Sequence, residues 1–234
     1  MIKFNKNAAV IAAVTLFCCA AMAFFEICFS PDYFAKSAVK LALFLLCPIV
    51  WAAVCGRLGR LRKLLRVSRQ GLLTALGLGV AVFLVILTGY LLLGRFFDLG
   101  GITESLTGNT GVGRDNFLIV ALYISFVNSL LEEFFFRGFA YLTLRDALAS
   151  GQDRLRPRRA ASLFSAAAFS LYHVSMMIGW FGAPLFALIL AALFVGGLIF
   201  NFINEKYDNI ILSWTTHMFA NFAINAIGLL LFNS

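Results

Sequence analysis

Apolar runs of about 18 to 25 residues recur from one end of this chain to the other. Each is long enough to cross a hydrocarbon core of roughly 30 Å as a helix. Seven such runs can be marked, at about 8–29, 38–55, 71–94, 116–137, 160–178, 183–203 and 210–232. Composition agrees: 62% of the 234 residues are hydrophobic and 13% charged, against roughly 45–50% and 25% in an average soluble domain. A chain of this length cannot enclose so much apolar surface, and the excess must face lipid. A soluble enzyme, a secreted disulfide scaffold and a disordered tail are excluded. The polar/apolar alternation of an outer-membrane barrel is missing too. The expected fold is all-α: a polytopic helical membrane protein of about seven transmembrane helices, with residues 1–234 forming a single membrane domain.

Lys and Arg collect in short cytoplasmic connections. Lys3 and Lys6 precede the first run; Arg57, Arg60, Arg62, Lys63, Arg66 and Arg69 follow the second; Arg145, Arg154, Arg156, Arg158 and Arg159 follow the fourth. Alternating spans bring these segments to one side. The opposite side holds Lys36 and Lys40 around its first connection, and Arg95 and Arg114 beside Asp98, Glu104 and Asp115 in its second. The expectation is a cytoplasmic amino terminus in the cell (inner) membrane. The net charge of +8 is then explained by topology, without nucleic acid as a partner. The first run ends in Ala21-Met22-Ala23, a small-residue pattern also found at signal-peptide cleavage sites, but it continues to Phe29 and reads as a retained span. The five cysteines, Cys18, Cys19, Cys28, Cys47 and Cys55, lack metal-ligand spacing and read as apolar packing.

The informative residues interrupt the apolar helices: Glu132, Glu133 and Arg137 in the fourth run, His173 in the fifth, His217 and Asn221 in the seventh. A charged residue at the centre of a span costs roughly 2.5–3.5 kcal/mol on insertion scales, so such residues tend to mark a site. Residues four apart share a helix face, which pairs Glu133 with Arg137 and leaves Glu132, about 100° around, as the freer carboxylate and candidate general base. The same spacing lets His217 and Asn221 converge on one oxygen, as in an oxyanion hole, and sets Phe169 against His173. The plainer readings are interhelical glue for the polar residues and a packing surface for Phe134-Phe135-Phe136.

Three motifs within 116–232 resemble those of the CPBP intramembrane proteases, which comprise type II CAAX prenyl endopeptidases and bacteriocin-processing or immunity proteins. They are Glu132-Glu133-Phe134-Phe135-Phe136-Arg137-Gly138, Phe169-Ser170-Leu171-Tyr172-His173 and His217-Met218-Phe219-Ala220-Asn221. The resemblance implies an intramembrane endopeptidase acting on a membrane-associated or lipidated peptide or protein. In it, Glu132 and His173 would activate water, His217 and Asn221 would stabilise the oxyanion, and Glu133 and Arg137 would support the site. It implies no cofactor, with zinc on Glu132, His173 and His217 as the alternative. A second reading keeps the motifs in a non-catalytic regulatory or immunity protein that binds a membrane partner; a third, a proton-relay transporter, is disfavoured by the absence of repeats.

The depths of these residues conflict at 1.5 Å per residue. If the fourth run ends at Arg137, Glu132 lies roughly 8 Å from that end, while His173 lies roughly 20 Å along its own run. Continuation of the fourth helix towards Leu148 would bring the two level.

Overall fold

The computed structural model describes residues 6–29, 31–67, 69–97, 99–149 and 154–233, so that Lys3 and Asp98 lie outside the described residues. The described residues are helical, with no strand. Seven helices are long and apolar enough to span a membrane: Lys6–Phe29, Tyr33–Val54, Arg69–Phe96, Phe117–Leu148, Leu155–Met177, Ala183–Tyr207 and Ile211–Phe232, taken below as the first to seventh spans. Two shorter helices, Leu58–Lys63 and Gly100–Thr110, lie in the second and third connections.

Two boundaries differ from the expected ones in ways that matter for the site. The second span starts at Tyr33, because Asp32 caps it by accepting a 2.7 Å bond from the Ala35 amide. Lys36 and Lys40 are therefore helix residues inside the bundle, not charges of a connection. The fourth span runs to Leu148, so the longer alternative holds and Glu132 sits near its middle. Two stretches of this span, Ile124–Asn128 and Glu133–Thr143, are π-helical, as is Ala42–Leu46 in the second span. A helix closed by i→i+5 bonds is wider, and shorter along its axis, than an α-helix of the same residue count. A rise of 1.5 Å per residue thus overstates the distance of Glu132 from Leu148, and the extended helix brings Glu132 level with His173.

Small residues set how closely the spans approach. A Cβ at Gly197 in the sixth span would lie 3.1 Å from the Ala166 backbone of the fifth, and one at Gly79 in the third would lie 2.5 Å from the Phe219 ring of the seventh. The third and sixth spans are the least buried, and the fourth and fifth the most. Phe134, Phe135 and Phe136 are all buried; Phe135 stacks on Phe44 of the second span at 4.2 Å, and Phe136 meets Phe169 edge-on at 5.3 Å. The triple phenylalanine is thus a packing surface turned inward. Of the cysteines, Cys18 is buried whereas Cys28 and Cys55 are exposed, so packing explains only some of them.

The arginine-rich connections meet in one ionic cluster. Arg60 grips Asp208 through two bonds of 2.6 and 2.7 Å, and Arg145 adds a third of 3.1 Å. Partial burial opposes the charge on Asp208, but the hydrogen bonds and charges of the two arginines outweigh it and hold the carboxyl below the ordinary aspartate range. Its contribution to stability is therefore full above the unfolded value of about 3.9 and is lost as pH falls through the lower folded value. Asp208 has φ 50° and ψ 37°, a left-handed conformation that Asn also tolerates. Asp208→Asn should accordingly lower the thermal stability of detergent-solubilised protein near neutral pH, with the gap closing as pH drops below about 4. A gap independent of pH would contradict this account.

Candidate active site

Four spans converge on Glu132. The carboxylate is buried, and its Oε1 accepts from Lys40 Nζ of the second span and from Asn128 Nδ2 one turn earlier on its own helix, each at 3.0 Å. Lys40 Nζ also donates to Asn128 Oδ1 at 2.7 Å, which closes a three-membered ring of bonds. Glu132 is thus not the free carboxylate that helical spacing suggested, since its counter-ion comes from another span. Its second oxygen, Oε2, faces the histidines, with His173 Nε2 and His217 Nε2 each 3.9 Å away.

The two imidazoles are oriented from behind. His173 Nδ1 lies 2.7 Å from the Phe169 carbonyl oxygen. A carbonyl can only accept, so Nδ1 carries the proton and Nε2 presents a lone pair towards Glu132. The Phe169 ring packs edge-on against the same imidazole at 4.6 Å, as the four-residue spacing suggested. His217 Nδ1 lies 2.9 Å from Glu133 Oε1, so one histidine links the two adjacent glutamates. Glu133 also pairs with Arg137 at 3.4 Å, both side chains being wholly enclosed. The guanidinium lies 4.2 Å from the centre of the Phe169 ring and 5.4 Å from that of Phe200, a cation–π environment that offsets part of its desolvation.

Asn221 lies on the same face as His217, but its Nδ2 donates to the Ile124 carbonyl at 3.1 Å. One of its two N–H groups therefore ties the seventh span to a π-helical stretch of the fourth. Trp214 Nε1 binds the Phe126 carbonyl of that stretch, and Ser165 Oγ the Phe136 carbonyl of the next. Such donors stabilise the rarely used π register, which recurs at functional sites.

Lys40, Asn128 and a second, part-buried ion pair escaped the sequence reading. Glu26 of the first span is buried, accepts from Ser175 Oγ at 2.7 Å and pairs with Lys36 at 3.2 Å. The available signal was the i, i+4 spacing of Lys36 and Lys40; starting the span at its Asp32 cap would have placed both on one inward face.

The proposed zinc set does not fit as placed. Tetrahedral ligands at 2.0–2.1 Å from zinc lie roughly 3.3 Å from one another, whereas both Nε2 atoms are 3.9 Å from Glu132 Oε2. The Lys40 ammonium already neutralises the carboxylate a dication would need. Among the described residues no group of three or more His, Cys, Asp or Glu side chains is arranged to hold a metal.

Beside this cluster lies a cavity of about 310 Å³, with Lys40, Asn128, His173 and Asn221 on its wall and otherwise chiefly apolar side chains. Residues 114–223 match the family model for type II CAAX prenyl endopeptidases, Rce1-like. Over that stretch, somewhat under half of its length, the chain is similar to this family. With seven helices long and apolar enough to span a membrane it is an integral membrane protein, and its similarity to the CAAX-type proteases falls on the region of the three motifs. No curated protein and no solved structure matches the chain. The matched stretch contains all of Glu132, Glu133, Arg137, Phe169, His173, His217 and Asn221, whereas Glu26, Lys36 and Lys40 lie outside it.

Proposed function

We propose that the protein is a glutamate-dependent intramembrane endopeptidase that hydrolyses a peptide bond of a membrane-associated substrate without a metal. The observation that carries this reading is the approach of Glu132 Oε2 to two imidazole Nε2 atoms at 3.9 Å each. One water molecule can bridge gaps of that width with ordinary bonds of about 2.8 Å. Glu132 accepts a proton from this water as its oxygen attacks the scissile carbonyl carbon, while the lone pair of His173 Nε2 orients the second O–H. Glu132 then hands the proton to the nitrogen as the C–N bond breaks.

The carbonyl oxygen becomes an alkoxide in the tetrahedral intermediate. His217, with Nδ1–H on the Glu133 carboxylate, can carry a second proton on Nε2, because Glu133 stabilises the imidazolium. That Nε2–H and the uncommitted N–H of Asn221 form the oxyanion hole. Lys40 balances Glu132 and Arg137 balances Glu133 in the resting site; once Glu132 has taken the water proton, Lys40 and a protonated His217 leave two positive charges against the one alkoxide. The arginine-rich face lies in the cytoplasm of a cell whose inner membrane holds the protein, with the preceding end of the first span on that side.

The test is cleavage of membrane peptides by the purified protein, read by mass spectrometry, before and after exhaustive dialysis against a zinc chelator. Activity should survive dialysis unchanged. Loss that stoichiometric zinc restores, with bound metal found by elemental analysis, would sink the metal-free mechanism. No cleavage by protein of proven fold would sink the endopeptidase reading itself.

A further inference from the structure

The cavity beside Glu132 draws its lining from one end of the bundle. It takes Lys36 from the start of the second span, Phe117 from the start of the fourth, Met177 from the end of the fifth and Gly228 from the end of the seventh. Ile102 and Leu106 of the helix Gly100–Thr110, with Trp180 and Phe181 of the fifth connection, complete it. None of these segments belongs to the arginine-rich connections.

Towards the arginine-rich face the bundle is packed shut. From Glu132 to Leu144 every side chain of the fourth span is buried, and Leu64 and Ile210 are fully enclosed against them. The Ile210 amide donates to the Leu64 carbonyl at 2.9 Å, stitching two connections together beneath the site. Tyr141 and Glu205 are bonded there at 3.1 Å, next to the Arg158–Glu205 pair. A peptide arriving from this side would have to displace that packing before reaching a histidine.

We infer that substrate enters from the face opposite the arginine-rich connections. With those connections in the cytoplasm, the cleaved bond belongs to a peptide or membrane-protein segment presented at the non-cytoplasmic surface. The apolar lining takes aliphatic or aromatic side chains next to the scissile bond, and the polar wall takes its backbone. This inference rests on the endopeptidase reading for its substrate and on charge placement for its direction.

The experiment uses full-length protein in which exposed Cys28 and Cys55 are replaced by Ser, and adds single cysteines by Ser37→Cys and Met177→Cys on the cavity or Arg62→Cys in the second connection. Intact cells are treated with a membrane-impermeant thiol reagent, before and after permeabilisation. S37C and M177C should be modified in intact cells and R62C only after permeabilisation. Modification of the cavity cysteines only after permeabilisation would overturn the proposed direction. In proteoliposomes, fully labelled S37C should cleave peptide at least tenfold more slowly than unlabelled S37C; equal rates would show that substrate takes another route. Absence of cleavage by the unlabelled protein would count against the endopeptidase reading alone, because the labelling pattern is read without catalysis.

Discussion

Glu132→Gln should abolish peptide cleavage and also destabilise the protein, and adding Lys40→Met should restore the stability without restoring the cleavage. The amide keeps the size of the carboxylate and can still accept from Asn128, but it removes the base, whose loss costs on the order of 10²–10⁴-fold in rate. It also strands the ammonium of Lys40, which is buried and bonded to Glu132 at 3.0 Å. Breaking one side of a buried ion pair costs about 3–5 kcal/mol, whereas replacing both partners by neutral groups of similar volume is close to neutral. Thermal unfolding in detergent reads the first effect and cleavage by mass spectrometry the second. A double variant that regained activity would show that Glu132 serves the fold and not the chemistry.

Glu133→Gln should damage the fold more than any other single change at the site, because one carboxylate serves two partners. It lies 3.4 Å from Arg137 and 2.9 Å from His217 Nδ1. The amide leaves an uncompensated guanidinium enclosed among Phe169 and Phe200, again a cost of about 3–5 kcal/mol. Arg137→Leu in the same chain should recover much of that stability, with a coupling energy measurable as a double-mutant cycle. Activity should stay depressed in the double variant, since His217 has lost the group that stabilises its charged form. Full activity there would remove His217 and Glu133 from the oxyanion-stabilising role.

The parts of this architecture that depend on local chemistry were legible in the residues. Seven apolar runs became seven spans, and the i, i+4 spacing of Glu133 and Arg137 became an ion pair. What could not be read depends on contacts between distant segments or on helix geometry. Lys40 looked like a charge near a span end because the Asp32 cap was not used to set that end, and its partner lies 92 residues away. The π-helical stretch Glu133–Thr143 has no signature in apolar periodicity, and it altered the depth of Glu132. Asn221 was placed on the right face, yet its bond to the Ile124 carbonyl depends on a backbone acceptor that no side-chain motif announces.

Lys40 belongs to a span that lies outside the stretch 114–223 matched to the family. The leading part of the chain is therefore no interchangeable anchor. A graft that fused residues 114–223 to the opening helices of an unrelated membrane protein would keep all three motifs and still leave Glu132 without its cation. Modularity stops at the bond between the second and fourth spans, and a relative with no basic group at the corresponding depth must compensate its carboxylate by some other residue.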